Sequence, residues 1–273
     1  QGIQPFERFL NIGIAIDPIH VGAGGARLDR VDLPIVRDPV TRIPKIPGSS
    51  LAGAYRAYVA MAENRYPNCA GQGQSDAEGK EGHCGKPDCP VCAIFGYARG
   101  QSGGFAGLAM FSDAHVLLFP VATRKGPIWV TSPMALQPLM EDEAGMDMQG
   151  LDEAALYMER ECPQPLNLGW LLLPVKEYRL QPLKEKCRAW GIPSHITDRL
   201  GLLPDGLFSQ VVNSNLEVRT SVSIHPETGA ADDGALFSYE ALPRSTVLYW
   251  EIIGKNPRHF KMGGQEVGAV AKP

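Results

Sequence analysis

Four of the six cysteines, Cys69, Cys84, Cys89 and Cys92, crowd into one stretch at the spacing Cys-x14-Cys-x4-Cys-x2-Cys. The closing Cys-x-x-Cys is the knuckle with which two thiolates grip one tetrahedral Zn2+. The intervening residues are polar and glycine-rich and have no core of their own, so a metal would supply the folding free energy they lack. Four protein ligands close the coordination sphere, which makes such a site structural. His83, beside Cys84, is a second choice of ligand in place of Cys69 or Cys84. The same cysteines would also serve as free buried thiols, or as disulfides in an oxidising compartment, which nothing else in the sequence suggests. Cys162 and Cys187 stand apart and read as core or surface thiols.

A second group of chemistry-bearing residues opens a helix. Residues 46–50, IPGSS, precede the clearest helical run of the chain, LAGAYRAYVAMA at 51–62. Ser49 or Ser50 is its natural N-cap. Free N–H groups and the dipole at a helix start favour an anion. Gly48 would let a phosphate approach the backbone, two hydroxyls could donate, and Arg56 follows about one and a half turns later. A capped helix with no ligand would carry the same pattern. The glycine-rich residues 21–28, VGAGGARL, lack the spacing of a dinucleotide fingerprint and have no P-loop lysine, which speaks against nucleotide hydrolysis. Residues 261–265, KMGGQ, follow a strand and put Gly263 and Gly264 where a backbone could meet a phosphate, or simply turn.

The elements that must position these groups are short. Thirty glycines and 23 prolines favour strands and loops over long helices. Strands are expected at 6–16, 108–111, 115–122, from 129, at 208–213 and at 247–254. A hairpin is expected over 219–242 with its turn at 226–234. Helices are expected at 51–62, from 132, and within 180–200 with a break at Gly191-Ile192-Pro193. Residues 32–47 read as an ordered loop or short hairpin, residues 66–95 as a zinc-binding insertion and residues 140–167 as an acidic insertion. No repeat or low-complexity linker divides residues 1–273, so a single domain is expected. The apolar fraction, 44%, allows a real core.

Net charge is −4, unlike a uniformly basic nucleic-acid binder. Residues 139–161 hold eight acidic side chains and one basic, −7, which leaves +3 for the remainder. The acidic block would sit away from any RNA face, or form a solvated surface. No apolar run approaches the ~20 residues of a membrane span. Residues 1–5 carry no basic-then-apolar leader, and a soluble cytoplasmic protein with no membrane partner is expected.

Taken in order, DLPIVRDP at 32–39, IPGSSL at 46–51, Arg56, CPVCAIFG at 89–96, Phe119-Pro120-Val121, Trp129-Val130-Thr131, Thr228-Gly229 through Gly234-Ala235-Leu236-Phe237, and the Gly263-Gly264 loop resemble the backbone subunits of type III CRISPR effectors. These belong to the RAMP superfamily, and the region at Trp129 looks more like the III-B subtype than III-A. Ala52 stands where that family often carries lysine. The resemblance implies an α+β fold, an RRM-like, ferredoxin-type core with a protruding β-hairpin thumb, here 219–242. It implies stacking of copies along guide CRISPR RNA within a larger effector complex. It further implies cleavage of complementary target RNA at every sixth position by a loop aspartate with Mg2+ or Mn2+; by position that aspartate is Asp32. Asp29 and Asp38 are its neighbours, and Arg30, Arg37 or Lys45 could offset charge on the transition state. His20, Arg37, Lys45, Gly48, Ser49, Ser50, Arg56, Gly263 and Gly264 are the implied RNA-contacting residues. A scaffold without catalysis, a module of a fused effector and a guide-processing enzyme are the alternatives.

Overall fold

A computed structural model describes residues 4–24, 31–71, 82–98, 104–140, 150–224, 227, 229–262 and 264–267. In chain order the strands are β1 (Phe6–Ile14), β2 (Lys45–Ile46), β3 (Ala109–Phe111), β4 (Ala114–Val121), β5 (Ile128–Thr131), β6 (Leu156–Met158), β7 (Cys162–Leu168), β8 (Leu171–Glu177), β9 (Leu200–Leu202), β10 (Glu217–Ile224), β11 (Ala231–Ala241), β12 (Val247–Lys255), β13 (Lys261–Met262) and β14 (Gln265–Glu266). The helices are α1 (Gly48–Ala62), α2 (Pro90–Phe95), α3 (Pro133–Leu136), α4 (Gln181–Ala189), α5 (Ser194–Thr197) and α6 (Asp205–Ser214). The fold is therefore mixed α and β. Two units divide the chain: residues 1–11, 46–114 and 250–273 form one, residues 12–45 and 115–249 the other.

In the first unit, β3 pairs antiparallel with the end of β12, Ile252 opposite Phe111. The Phe111 ring lies 5.2 Å from Tyr55 of α1 and stacks at 5.9 Å on Phe95 of α2. Offset aromatic contacts at such separations contribute about 0.5–1.5 kcal/mol beyond area burial. Around them a small core gathers Ala60, Val91, Ala93, Leu108, Met262 and the cysteines Cys69, Cys89 and Cys92. The apolar run at 91–95 is a helix, started by Pro90 in the first turn, where its missing N–H costs nothing.

In the second unit a mixed sheet runs β12-β4-β5-β9-β6-β8-β7. The β5–β9 and β6–β8 pairs are parallel. Its core joins Leu117, Leu118, Trp129, Leu200 and Leu202 to Leu180, Leu183 and Ile196 from the helical stretch, which is interrupted where Gly191-Ile192-Pro193 predicts. Each such leucine or isoleucine contributes about 1.5–3 kcal/mol when fully buried. The strand expected at 208–213 is instead part of α6. Phe208, Val211 and Val212 fall at the i, i+3, i+4 spacing of one helix face and are buried, while Asp205 sits in the first turn, where the dipole favours it. Residues 141–149 of the acidic insertion expected at 140–167 lie outside the described residues; the rest of that stretch supplies β6 and most of β7.

Strands β10 and β11 form an antiparallel hairpin, Glu217 opposite Ala241 through Ile224 opposite Ala231. Val218, Val222, Ile224, Leu236 and Phe237 are exposed along it. Among the described residues no helix is long and apolar enough to cross a membrane.

Candidate functional site

The loop that carries Asp32 is held against the end of β11. Leu33 bridges Tyr239 in parallel, with Leu33 N donating to Ser238 O at 3.1 Å and Glu240 N donating to Leu33 O at 3.2 Å. Asp32 Oδ2 accepts from both the backbone N–H of Ser238, at 2.7 Å, and its hydroxyl, at 2.9 Å. The Ser238 N–H, and next its hydroxyl, hold the exposed Asp32 carboxyl below its ordinary pKa. Hydrogen bonds to the charged form favour it. Asp32 is thus a fixed anion at neutral pH, a weak proton acceptor but a suitable oxygen ligand for a hard cation.

The next two residues of β11 hold two further candidates. Glu240 carbonyl O lies 2.6 Å from His20 Nδ1, and the His20 ring meets Tyr239 edge-on at 5.1 Å. The Glu240 carboxylate takes Arg37 at 2.8 and 2.9 Å and the Ile35 N–H at 3.1 Å. Arg37 also donates to Asn213 Oδ1 of α6 at 2.8 Å and to Ile35 O at 3.1 Å. The Arg37 guanidinium ties loop, helix and strand together. Asp38 makes the turn expected of it, its Oδ1 accepting from Val40 N and Thr41 N. Lys45 Nζ lies 3.9 Å from Asp38. Asp29 and Arg30 lie outside the described residues.

At the start of α1 the expected serine cap is absent. Pro47 occupies the N-cap with no side-chain bond, and the Asp113 carboxylate accepts from Gly48 N at 2.8 Å. Ser49 and Ser50 are exposed in the first turn, with Ser50 N already donating to Pro47 O. Gly48 is buried, and a Cβ there would collide with the backbone oxygens of Phe111 and Ser112. Its lack of a side chain permits this chain-to-chain approach. Gly264, at φ +83°, turns the chain between β13 and β14, a conformation open to glycine; Gly263 lies outside the described residues.

The four clustered cysteines converge. All four Sγ atoms lie within 4.8 Å of one another, and Cys84 and Cys92 are 3.8 Å apart. A tetrahedron with Zn–S bonds of about 2.3 Å has sulfur–sulfur edges of about 3.8 Å, so the donor set fits zinc. Burial pushes the Cys89 and Cys92 thiols up. Without a cation these sulfurs stay protonated; a bound dication is what would let them ionise together. His83 is outside the donor set: its Nδ1 lies 2.9 Å from Arg56 Nη2. Because a guanidinium only donates, Nδ1 accepts and the ring proton sits on Nε2. Arg56 Nε donates to Cys69 O at 2.7 Å. Arg56 is thus turned toward the cysteines, where the sequence reading has it facing RNA.

Ser238, Glu240 and Asp113 escape the sequence reading. Ser238 is 206 residues from Asp32, and no local pattern announces a pair so distant.

The sequence profile of the RAMP superfamily matches residues 14–261. The chain belongs to the RAMP superfamily. Among curated relatives, it is 26% identical over 287 residues to the CRISPR system Cmr endoribonuclease Cmr4 of Pyrococcus furiosus, covering 92% of this chain and 89% of that protein. A shorter match, 38% over 93 residues, joins 34% of this chain to 30% of the Cms endoribonuclease Csm3 of Methanothermobacter thermautotrophicus. Solved structures share the fold. A chain of the type III-B Cmr-beta complex bound to cognate target RNA aligns with TM-score 0.61 at 18% identity, over 92% of this chain and 84% of that one. Oligomeric Cmr4 from Pyrococcus furiosus aligns at 0.59 and 20% identity, over 93% and 84%.

Proposed function

We propose that this chain is the guide-RNA-binding backbone subunit of a type III-B CRISPR effector complex, and that it cleaves complementary target RNA at six-nucleotide intervals. The full-length similarity to an endoribonuclease named Cmr4, within the RAMP superfamily, supports the activity. The single observation that carries the site is Asp32: an exposed carboxylate kept ionised by Ser238 at the base of an exposed hairpin.

In this reading the mixed sheet includes an RRM-like core, and β10–β11 is the thumb that contacts the guide–target duplex. Its exposed Val222 and Leu236, directly opposite each other, offer apolar area to unstacked bases. The exposed hydroxyls of Ser49 and Ser50, and Gly264, are guide-backbone contacts of one unit, and Lys45 is a separate such contact of the other. Arg37 and Glu240 set the loop, and His20 stiffens it through Glu240 O and Tyr239. The cysteine knot holds structural Zn2+. Copies of the chain and other effector subunits are the partners, in the cytoplasm.

The reaction asks little covalent chemistry of the protein. A 2′-hydroxyl held in line attacks the adjacent phosphate and gives its proton to water, while the P–O5′ bond breaks and the 5′-oxygen takes a proton from water, leaving a 2′,3′-cyclic phosphate and a 5′-hydroxyl. Asp32 would hold Mg2+ or Mn2+, which when bound polarises the phosphate and offsets its charge. Ser238 fixes the direction of the carboxylate and keeps it deprotonated. An assembled complex, supplied with guide, complementary target and Mg2+, tests the reading: products spaced by six nucleotides are expected. Bound but intact target would favour a scaffold role instead.

A further inference from the structure

The half-buried Arg56 has no carboxylate partner among the described residues; its bonds run to Cys69 O and His83 Nδ1, beside four converging sulfurs. Burial is expensive for a charge that stays unpaired. Four thiolates around one dication carry a formal net charge of about −2. A cation and its missing counter-charge thus lie side by side. We propose that Arg56, seconded by His83, is the outer-sphere residue of the metal knot: it offsets the surplus negative charge of the tetrathiolate centre and pins the Cys69 and His83 turns onto α1. This inference rests on the structural-zinc reading above and deepens it.

Three features of the geometry support the assignment. Arg56 reaches the backbone of one ligand, Cys69, so its hydrogen bond fixes that ligand's turn directly. Cys69 holds a positive φ of 64°, which a non-glycine residue adopts only when its surroundings enforce it. Cys84 N donates to Cys69 Sγ at 3.4 Å, so the turn that Arg56 anchors also orients a sulfur acceptor. His83 in turn is buried and can only accept through Nδ1, which makes it a spacer that aims the guanidinium and not a competitor for the metal.

The test uses the full chain, loaded with Co2+ as a spectroscopic substitute, in wild type, Arg56→Met, Arg56→Lys and His83→Gln. Competition with a chelator is expected to show a 10- to 100-fold weaker Co2+ affinity in Arg56→Met. Arg56→Lys should recover part of that loss, because the charge returns without the fork. The thiolate-to-cobalt absorption bands should stay in place in all variants, since the four ligands are unchanged. Guide-RNA affinity and its salt slope should be the same in Arg56→Lys as in wild type. Unchanged Co2+ affinity in Arg56→Met would overturn the inference, as would a loss of guide affinity with metal affinity intact, which would return Arg56 to the RNA. A wild-type chain that binds neither Co2+ nor Zn2+ would overturn the zinc reading itself, a distinguishable result. If Arg56→Met fails to fold, the ordering wild type, Arg56→Lys, His83→Gln in metal affinity decides: equal affinities refute the role.

Discussion

The loop at Asp32 and the knot at Cys92 face one problem and answer it differently. Both are turn-rich segments in which a few buried apolar side chains, Pro34 and Ile35 in the first and Val91 and Ala93 in the second, do not by themselves fix the polar groups between them. The first lies along β11 and is fixed by backbone bridges and by Ser238 and Glu240, which leave its carboxylate in water. The second turns its sulfurs inward, where a bound cation would tie them together. A segment that must present a charge is tied by hydrogen bonds from behind; one that must only hold its shape is tied through a buried centre.

The largest effect separates the two anchors. Cys92→Ser removes one ligand from the knot, and structural zinc sites contribute about 10 kcal/mol or more of apparent binding free energy. Thermal unfolding of the chain with and without chelator should show Cys92→Ser at the position of the metal-stripped wild type. Coincident curves for all forms, stripped and loaded, would dissolve the contrast.

On the other side, Glu240→Ala strands Arg37, whose side chain is 18% exposed against 15% for Glu240. Removing one member of such a pair costs about 3 kcal/mol, mostly for the charge left behind. Denaturant unfolding should register that loss, with metal content untouched. Asp113→Ala leaves Gly48 N without its acceptor and should cost about 1 kcal/mol in the same assay.

The smallest effect is a matter of pH. Asp32 has a depressed folded pKa, so its tie to Ser238 stabilises above the unfolded carboxylate value, ~3.9, and is lost as pH falls through the folded one. Ser238→Ala keeps the N–H, the larger cause, and loses the hydroxyl. The acid limb of the cleavage profile should therefore move upward, by less than a return to the ordinary value. An acid limb that stays put would mean that the hydroxyl plays no part.

Much of this contrast is legible in the sequence, and unevenly so. The cysteine spacing is local and announces the knot directly. The hairpin expected at 219–242 spans Glu217–Ala241 because alternation and turn residues are also local signals. Helix α1 is read correctly, but its cap is not: Pro47 and Gly48 displace the serines because the backbone of Phe111 and Ser112 demands a glycine, and Asp113 supplies the acceptor from 65 residues away. Residues 208–213 mislead because a short apolar run has no decisive period, and the Pro204-Asp205 start signal was needed to settle it. Arg37 and Arg56 look like phosphate ligands in any linear reading; only Glu240 for the first, and the Cys69 carbonyl and His83 ring for the second, show where each guanidinium is engaged.

Asp32→Ala, assembled with guide, complementary target and Mg2+, tests the account most directly. Regularly spaced cleavage should fall by more than about a hundredfold while guide and target remain bound at wild-type affinity. Regularly spaced cuts persisting at the wild-type rate in a complex built from Asp32→Ala subunits would contradict it.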